Sequence, residues 1–185
     1  GGNSTLFGLT THDQRPDGSD TIYGGNGDQL ERNNLGDGLH TADADVIAGD
    51  NGNIYRLVGT NGTDSGQYLT FNYDNYGEAR RIVPRAVELI DYTPGGSDYD
   101  EAKAGSDIGA SDTIHGESGD DFIYGMVGSD VLFGEGQDDD IIGGYGNDWI
   151  SGGTGDDGVH GEAGRIYTSR NSTAGEPLYG VAGLV

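Results

Sequence analysis

The feature that most constrains this chain is a period of nine. Residues 107–160 divide into six consecutive blocks, DIGASDTIH, GESGDDFIY, GMVGSDVLF, GEGQDDDII, GGYGNDWIS and GGTGDDGVH. Every block has Asp at its sixth position: Asp112, Asp121, Asp130, Asp139, Asp148 and Asp157. Every block has an aliphatic residue at its eighth: Ile114, Ile123, Leu132, Ile141, Ile150 and Val159. A fixed period of this kind marks stacked units, none of which can bury its apolar face alone. The rest of the composition makes that stacking necessary. Only 32% of residues are hydrophobic, and 32 acidic residues against 9 basic ones leave a net charge of -23. Such a balance ordinarily gives disorder, because too little surface is buried to offset backbone entropy. Disordered tails, however, have no reason to keep apolar residues in phase.

A damaged copy of the pattern lies upstream. RPDGSDTIY puts Asp20 and Ile22 in register, GGNGDQLER follows with Gln29 where Asp is expected, and HTADADVIA restores the phase with Asp45 and Ile47. Residues 33–39 are extra and are expected to bulge. Both copies close alike, in GDNGNIYR from Gly49 and GEAGRIYT from Gly161, so a strand is expected to leave the repeat at the same stage each time. Residues 55–101 then lose the phase. They carry Tyr55, Tyr68, Phe71, Tyr73, Tyr76 and the alternating RIVPRAVELIDY, with NGTDSG and DNYG as turn signals, which reads as an antiparallel β insertion. The expected organisation is a short degenerate repeat region over 1–54, the insertion over 55–101, the main repeat region over 102–166, and the start of a second insertion or linker over 167–185. The Gly-Gly start and the apolar 181–185 end, neither with an evident cap, are expected of a piece of a longer chain, and residues 1–14 lack the charged start and apolar stretch of a signal peptide.

This pattern resembles the RTX, or haemolysin-type, calcium-binding repeat GGxGxDxUx. Two blocks match it strictly, and the others depart mainly at the glycines, as at Ala110 and Gln137. The resemblance implies an all-β fold, a parallel β-roll interrupted here by the small antiparallel insertion. It also implies type I secretion, and hence a secreted, extracellular or cell-surface location.

The spacing itself explains a need for cations. Each nonapeptide is expected to make a tight turn of six residues and a strand of three, with the eighth residue inside. The turn glycines Gly116, Gly119, Gly125, Gly128, Gly143, Gly144, Gly146, Gly152, Gly153 and Gly155 let backbone carbonyls face inward. Two blocks complete a coil, so turns of one side recur every eighteen residues, stacked about 4.8 Å apart. One side then stacks Asp112, Asp130 and Asp148, the other Asp121, Asp139 and Asp157. Like charges about 5 Å apart repel by about 0.8 kcal/mol even in water, and more at a partly buried site. Ca²⁺ suits the gap, since it accepts 6–8 oxygen ligands in flexible geometry. About four ions are expected in the main region, and the Asp20 and Asp45 pair would hold one more. Folding and binding should be one event.

Other chemistry finds little support. The acidity disfavours nucleic acid and anionic membranes, and no apolar run is long enough to span a bilayer. There is no cysteine, HExxH or GxSxG, so no catalytic role is expected of this segment. His115 and His160, at ninth positions, and the isolated His12 and His40 read as solvated surface residues with no zinc site. Trp149 and Phe122, at seventh positions, are expected to pack on the insertion or a neighbouring segment. Third positions Gly109, Ser118, Val127, Gly136, Tyr145 and Thr154 are too irregular for an ice-binding rank. The leading expectation is a calcium-dependent structural module of a large secreted bacterial protein, with calcium and copies of itself or other surface proteins as partners. The alternative is a folding and secretion module of an extracellular enzyme whose catalytic domain lies elsewhere.

Overall fold

The computed structural model describes residues 11, 14–25, 44–57, 66, 85–93, 107–164 and 166. Among them are ten strands and no helix: β1 (Thr21–Tyr23), β2 (Val46–Ala48), β3 (Gly52–Arg56), β4 (Arg85–Leu89), β5 (Thr113–Ser118), β6 (Phe122–Val127), β7 (Val131–Gly136), β8 (Asp140–Tyr145), β9 (Trp149–Thr154) and β10 (Gly158–His160). The strands form two four-stranded sheets, ordered β1-β5-β7-β9 and β10-β8-β6-β2, and a separate antiparallel pair, β3-β4. Every pairing in the two larger sheets is parallel.

From β5 onward the chain visits the two sheets alternately, so in-sheet neighbours stand eighteen residues apart, as in Ile114↔Leu132 and Ile123↔Ile141. Alternation along each strand sends the eighth position inward: β5 reads half-buried and buried by turns, with Ile114 inside. Ile47, Ile114, Ile123, Leu132 and Ile141 form the core, and Ile22 and Ile150 pack against it. This is one column of aliphatic residues per sheet, with Met126 and Ile142 also buried.

The upstream copy joins the same two sheets. β1 pairs with β5 through Ile22↔Ile114, and β2 pairs with β6 through Ile47↔Ile123. The eighth-position residues before the excursion thus stack directly on those after it. Of the excursion, β3 and β4 are described, paired from Gly52↔Leu89 to Arg56↔Arg85. Gln29, the extra residues 33–39, Tyr68, Phe71, Tyr73, Tyr76, His12, His40 and the tail from 167 lie outside the described residues.

Most strands of the main repeat region are longer than the three residues expected. β5 to β9 each run six, through the seventh to ninth positions and on through the first three of the next block. The pairing skips one residue, Gly116 in β5 and Gly125 in β6, and resumes at the second position. That second residue adopts positive φ, as at Glu117 (73°), Met126 (77°) and Glu135 (76°). The backbone turns inward for one residue and is restored by a left-handed one, so only the fourth to sixth positions are left to turn.

Candidate metal centre

The sixth-position aspartates stand in two columns at opposite edges of the sheets. In one, the amide of Asp20 donates to Asp112 Oδ1 at 2.7 Å, that of Asp112 to Asp130 Oδ1 at 2.8 Å, and that of Asp130 to Asp148 Oδ1 at 3.0 Å. In the other, the amide of Asp45 donates to Asp121 Oδ1 at 2.7 Å, that of Asp121 to Asp139 Oδ1 at 2.9 Å, and that of Asp139 to Asp157 Oδ1 at 3.0 Å. Asp20 and Asp45 are not a pair: they begin different columns, because consecutive blocks turn at opposite edges. Asp112, Asp121, Asp130 and Asp139 are at most 2% exposed.

One oxygen of each of these six carboxylates therefore accepts from the preceding coil. Oδ2 of Asp112, Asp130, Asp139 and Asp148 is buried and has no hydrogen-bond partner. Buried polar atoms without partners are rare, because each forfeits its hydration. These Oδ2 atoms converge on the first-position glycines. A Cβ on Gly116 would lie 2.5 Å from Asp121 Oδ2 and 2.8 Å from the carbonyl oxygen of Gly134; on Gly125, 2.5 Å from Asp130 Oδ2 and 2.6 Å from that of Gly143. Gly143 faces Asp148 Oδ2 and the Gly161 carbonyl in the same way, and Gly152 faces Asp157 Oδ2. The cradles at Gly116, Gly125 and Gly143 each gather a carboxylate oxygen and a carbonyl oxygen of the next coil where any side chain would intrude. Hard anionic and neutral oxygens gathered in this way form a donor set fit for Ca²⁺.

The remaining glycines shape the turn. Gly119, Gly128, Gly146 and Gly155 at fourth positions have φ of 127°, 150°, 142° and 139°, and Gly144 and Gly153 at second positions have 109° and 107°. Gln137 holds a fourth position at φ 78° and is fully buried, its Oε1 accepting from the Gly119 amide at 2.5 Å. The side chain thus bonds the turn below while its backbone takes the left-handed form. Fifth positions add a ladder of opposite polarity: the amide of Asp138 donates to Asp120 Oδ1 at 3.1 Å, that of Asp156 to Asp138 Oδ1 at 2.8 Å, and that of Ser129 to Ser111 Oγ at 2.8 Å.

Burial without a counter-ion pushes these carboxyls up. Asp139 rises to about 9, through burial first and the charge of Asp121 next, and Asp130 to about 6, through burial and then Asp148 and Asp112. Asp112, Asp148 and Asp157 rise as well, burial leading in each. In the absence of metal the columns favour protons.

Sequence reading placed Asp107 and Ile108 at the start of a block, and here the structure differs. Gly49 and Asp50, the last residues before the excursion, fill those two places. The Gly49 amide donates to the Tyr124 carbonyl at 2.8 Å, as the Gly24 amide does to that of His115. Asp107 instead receives the Thr93 amide at 2.8 Å and the Thr93 hydroxyl at 2.9 Å. Asp50, buried, accepts from the amides of Ala110 (3.1 Å) and Val127 (2.7 Å), and is pushed up to about 9 by burial and then by contact with the Asp17 carboxyl. No spacing rule points to Asp50; the one signal was the shared ending that begins at Gly49.

His115 is not simply solvated. Its ring is stacked between Tyr23 at 4.8 Å and Phe133 at 4.6 Å, each at 9° between planes, and Nδ1 lies 2.8 Å from Glu135 Oε1. The three rings share the ninth position of adjoining strands. Trp149 leans on Phe133, with centroids 5.0 Å apart, and stays 54% exposed, so its partner is the neighbouring strand. His160 is exposed.

Residues 17–28, 109–141 and 133–165 match the RTX calcium-binding nonapeptide repeat, in four copies. Neither a curated protein nor a solved structure matches the chain.

Proposed function

From a chain that carries RTX calcium-binding nonapeptide repeats, and so binds several Ca²⁺ ions across them, we propose a calcium-loaded parallel β-roll that serves as a structural module of a large secreted bacterial protein. The observation that carries this reading is the division of labour at the sixth-position carboxylates. Oδ1 ties each coil to the one before, and at Asp112, Asp130, Asp139 and Asp148 the Oδ2 is buried with no hydrogen-bond partner. Asp112, Asp130 and Asp148 on one side, and Asp121, Asp139 and Asp157 on the other, would hold the ions, with the carbonyls of the first-position glycines. Asp20 and Asp45 would cap the two columns at the first coil. A thin aliphatic core under a net charge of -23 needs that neutralisation to stay folded.

Repeats of this class are typical of secreted bacterial proteins. In this reading the chain is largely unfolded at cytosolic Ca²⁺ and folds outside the cell at millimolar Ca²⁺, where it acts as a stiff element of an adhesin, surface layer or filament. Circular dichroism tests it. Chelation with EGTA should abolish the β signal and millimolar Ca²⁺ restore it; a signal unchanged by chelation contradicts the proposal.

A further inference from the structure

The turn between β2 and β5 is made from two distant pieces of chain. Gly49 supplies its first position and Asp112 its sixth, with the excursion between them. A Cβ on Gly49 would lie 2.5 Å from Asp112 Oδ2 and 2.9 Å from the carbonyl oxygen of Gly125. The same two kinds of atom surround Gly125, whose turn is continuous. Asp112 is 2% exposed, and its Oδ2 has no hydrogen-bond partner.

We propose that this split turn is a composite calcium site, closed by Gly49 from before the excursion and Asp112 from after it, so that one ion staples the two ends of the excursion together. The inference rests on the calcium reading above and adds to it a coupling between one ion and the excursion.

Groups outside the cradle hold the same two ends. Asp50 joins the departing chain to the returning one through the Ala110 amide, and to the next coil through that of Val127. Beside it Arg15 forms a two-pronged ion pair with Asp91, Nε at 2.7 Å and Nη2 at 2.5 Å. The buried Asn51 donates to the Arg15 carbonyl at 3.0 Å, and its own carbonyl receives the Ile90 amide at 2.8 Å. The Ile108 amide donates to the Asp91 carbonyl at 2.9 Å. This clasp holds Gly49 at Asp112 through contacts that do not involve this ion, and so bears part of the loop-closure entropy that its binding must otherwise overcome. Reciprocity follows: the ion strengthens the clasp by the factor by which the clasp strengthens the ion.

The test uses the full chain, calorimetric Ca²⁺ titration and amide hydrogen exchange. Gly49→Val should bind one ion fewer than the native chain, as should Gly134→Val, which fills an unsplit cradle on the opposite edge. Arg15→Ala should keep the native ion count while one ion binds about tenfold more weakly, a loss of about 1.4 kcal/mol. In the native chain Ca²⁺ should slow exchange at the Ile90 and Ile108 amides, and in Gly49→Val it should not. If Gly49→Val retains the full count and the Ca²⁺-dependent protection, the composite site is overturned while the calcium reading stands. If the native chain binds no Ca²⁺, the calcium reading itself fails. Should Gly49→Val not fold, an Arg15→Ala chain with unaltered affinities, together with native Ile90 and Ile108 amides indifferent to Ca²⁺, overturns the inference equally.

Discussion

Each sixth-position aspartate does two things with one carboxylate, and substitution can separate them. Asparagine keeps an Oδ1 acceptor for the amide of the coil before and replaces Oδ2 with a donor. Asp130→Asn and Asp139→Asn should therefore each lose an ion in a calorimetric titration, or bind it at least about tenfold more weakly, while β content at saturating Ca²⁺ persists. Ser111→Ala removes only the acceptor of the Ser129 amide. It should lower stability by about 1 kcal/mol in denaturant melts and leave the ion count unchanged. The positions of the aspartates were legible in the sequence because their period is their function. The commitment of Oδ1 to an amide was not, since it depends on which amide the preceding coil brings within reach. Likewise the ninth-position rank of Tyr23, His115 and Phe133 was invisible until the register was known: Tyr23 and His115 are 92 residues apart in sequence and adjacent in the sheet.

At the level of the strand, the unexpected feature is the continuation of pairing past the first glycine. It requires a left-handed residue at the second position, where glycine is cheapest and where Glu117, Met126 and Glu135 stand instead. A left-handed non-glycine residue costs roughly 1–2 kcal/mol, offset in part by the entropy glycine loses on ordering. Glu117 also has a buried Oε2 with no hydrogen-bond partner. Glu117→Gly should thus raise the stability of the calcium-loaded protein by about 1 kcal/mol, read as a higher melting temperature; a lower one would show that its side chain holds a contact worth more than the backbone strain. The antiparallel partner of β3 is RAVEL, part of the alternating RIVPRAVELIDY. The attachment of this pair was not legible in the sequence, because Arg15, Asp50, Asn51, Asp91 and Asp107 obey no period and meet only where the excursion closes.

For the molecule as a whole, protons and calcium compete for the same oxygens. Folded without metal, Asp139 titrates at about 9 and Asp130 at about 6, against roughly 3.9 for an unfolded aspartate. The metal-free fold thus binds more protons than the unfolded chain. Its stability is fullest below about pH 4 and is lost as pH rises through about 6 and then about 9. In rigorously metal-free buffer, circular dichroism should show more β structure at pH 4 than at pH 8, and Ca²⁺ should restore it at pH 8. A metal-free signal no stronger at pH 4 would mean that the columns are not held apart by their own charge.

The sequence alone determined what repeats: an aspartate to turn on, an aliphatic residue to bury, a glycine where no side chain fits, and a charge too large for so thin a core. These are local requirements of one unit, and every block restates them. Tertiary structure decided what the period cannot encode, namely which distant residues complete an interrupted unit. Asp107 stood in phase and was displaced by Gly49 and Asp50, because the first position is defined by the oxygens that converge there and only a glycine leaves them room.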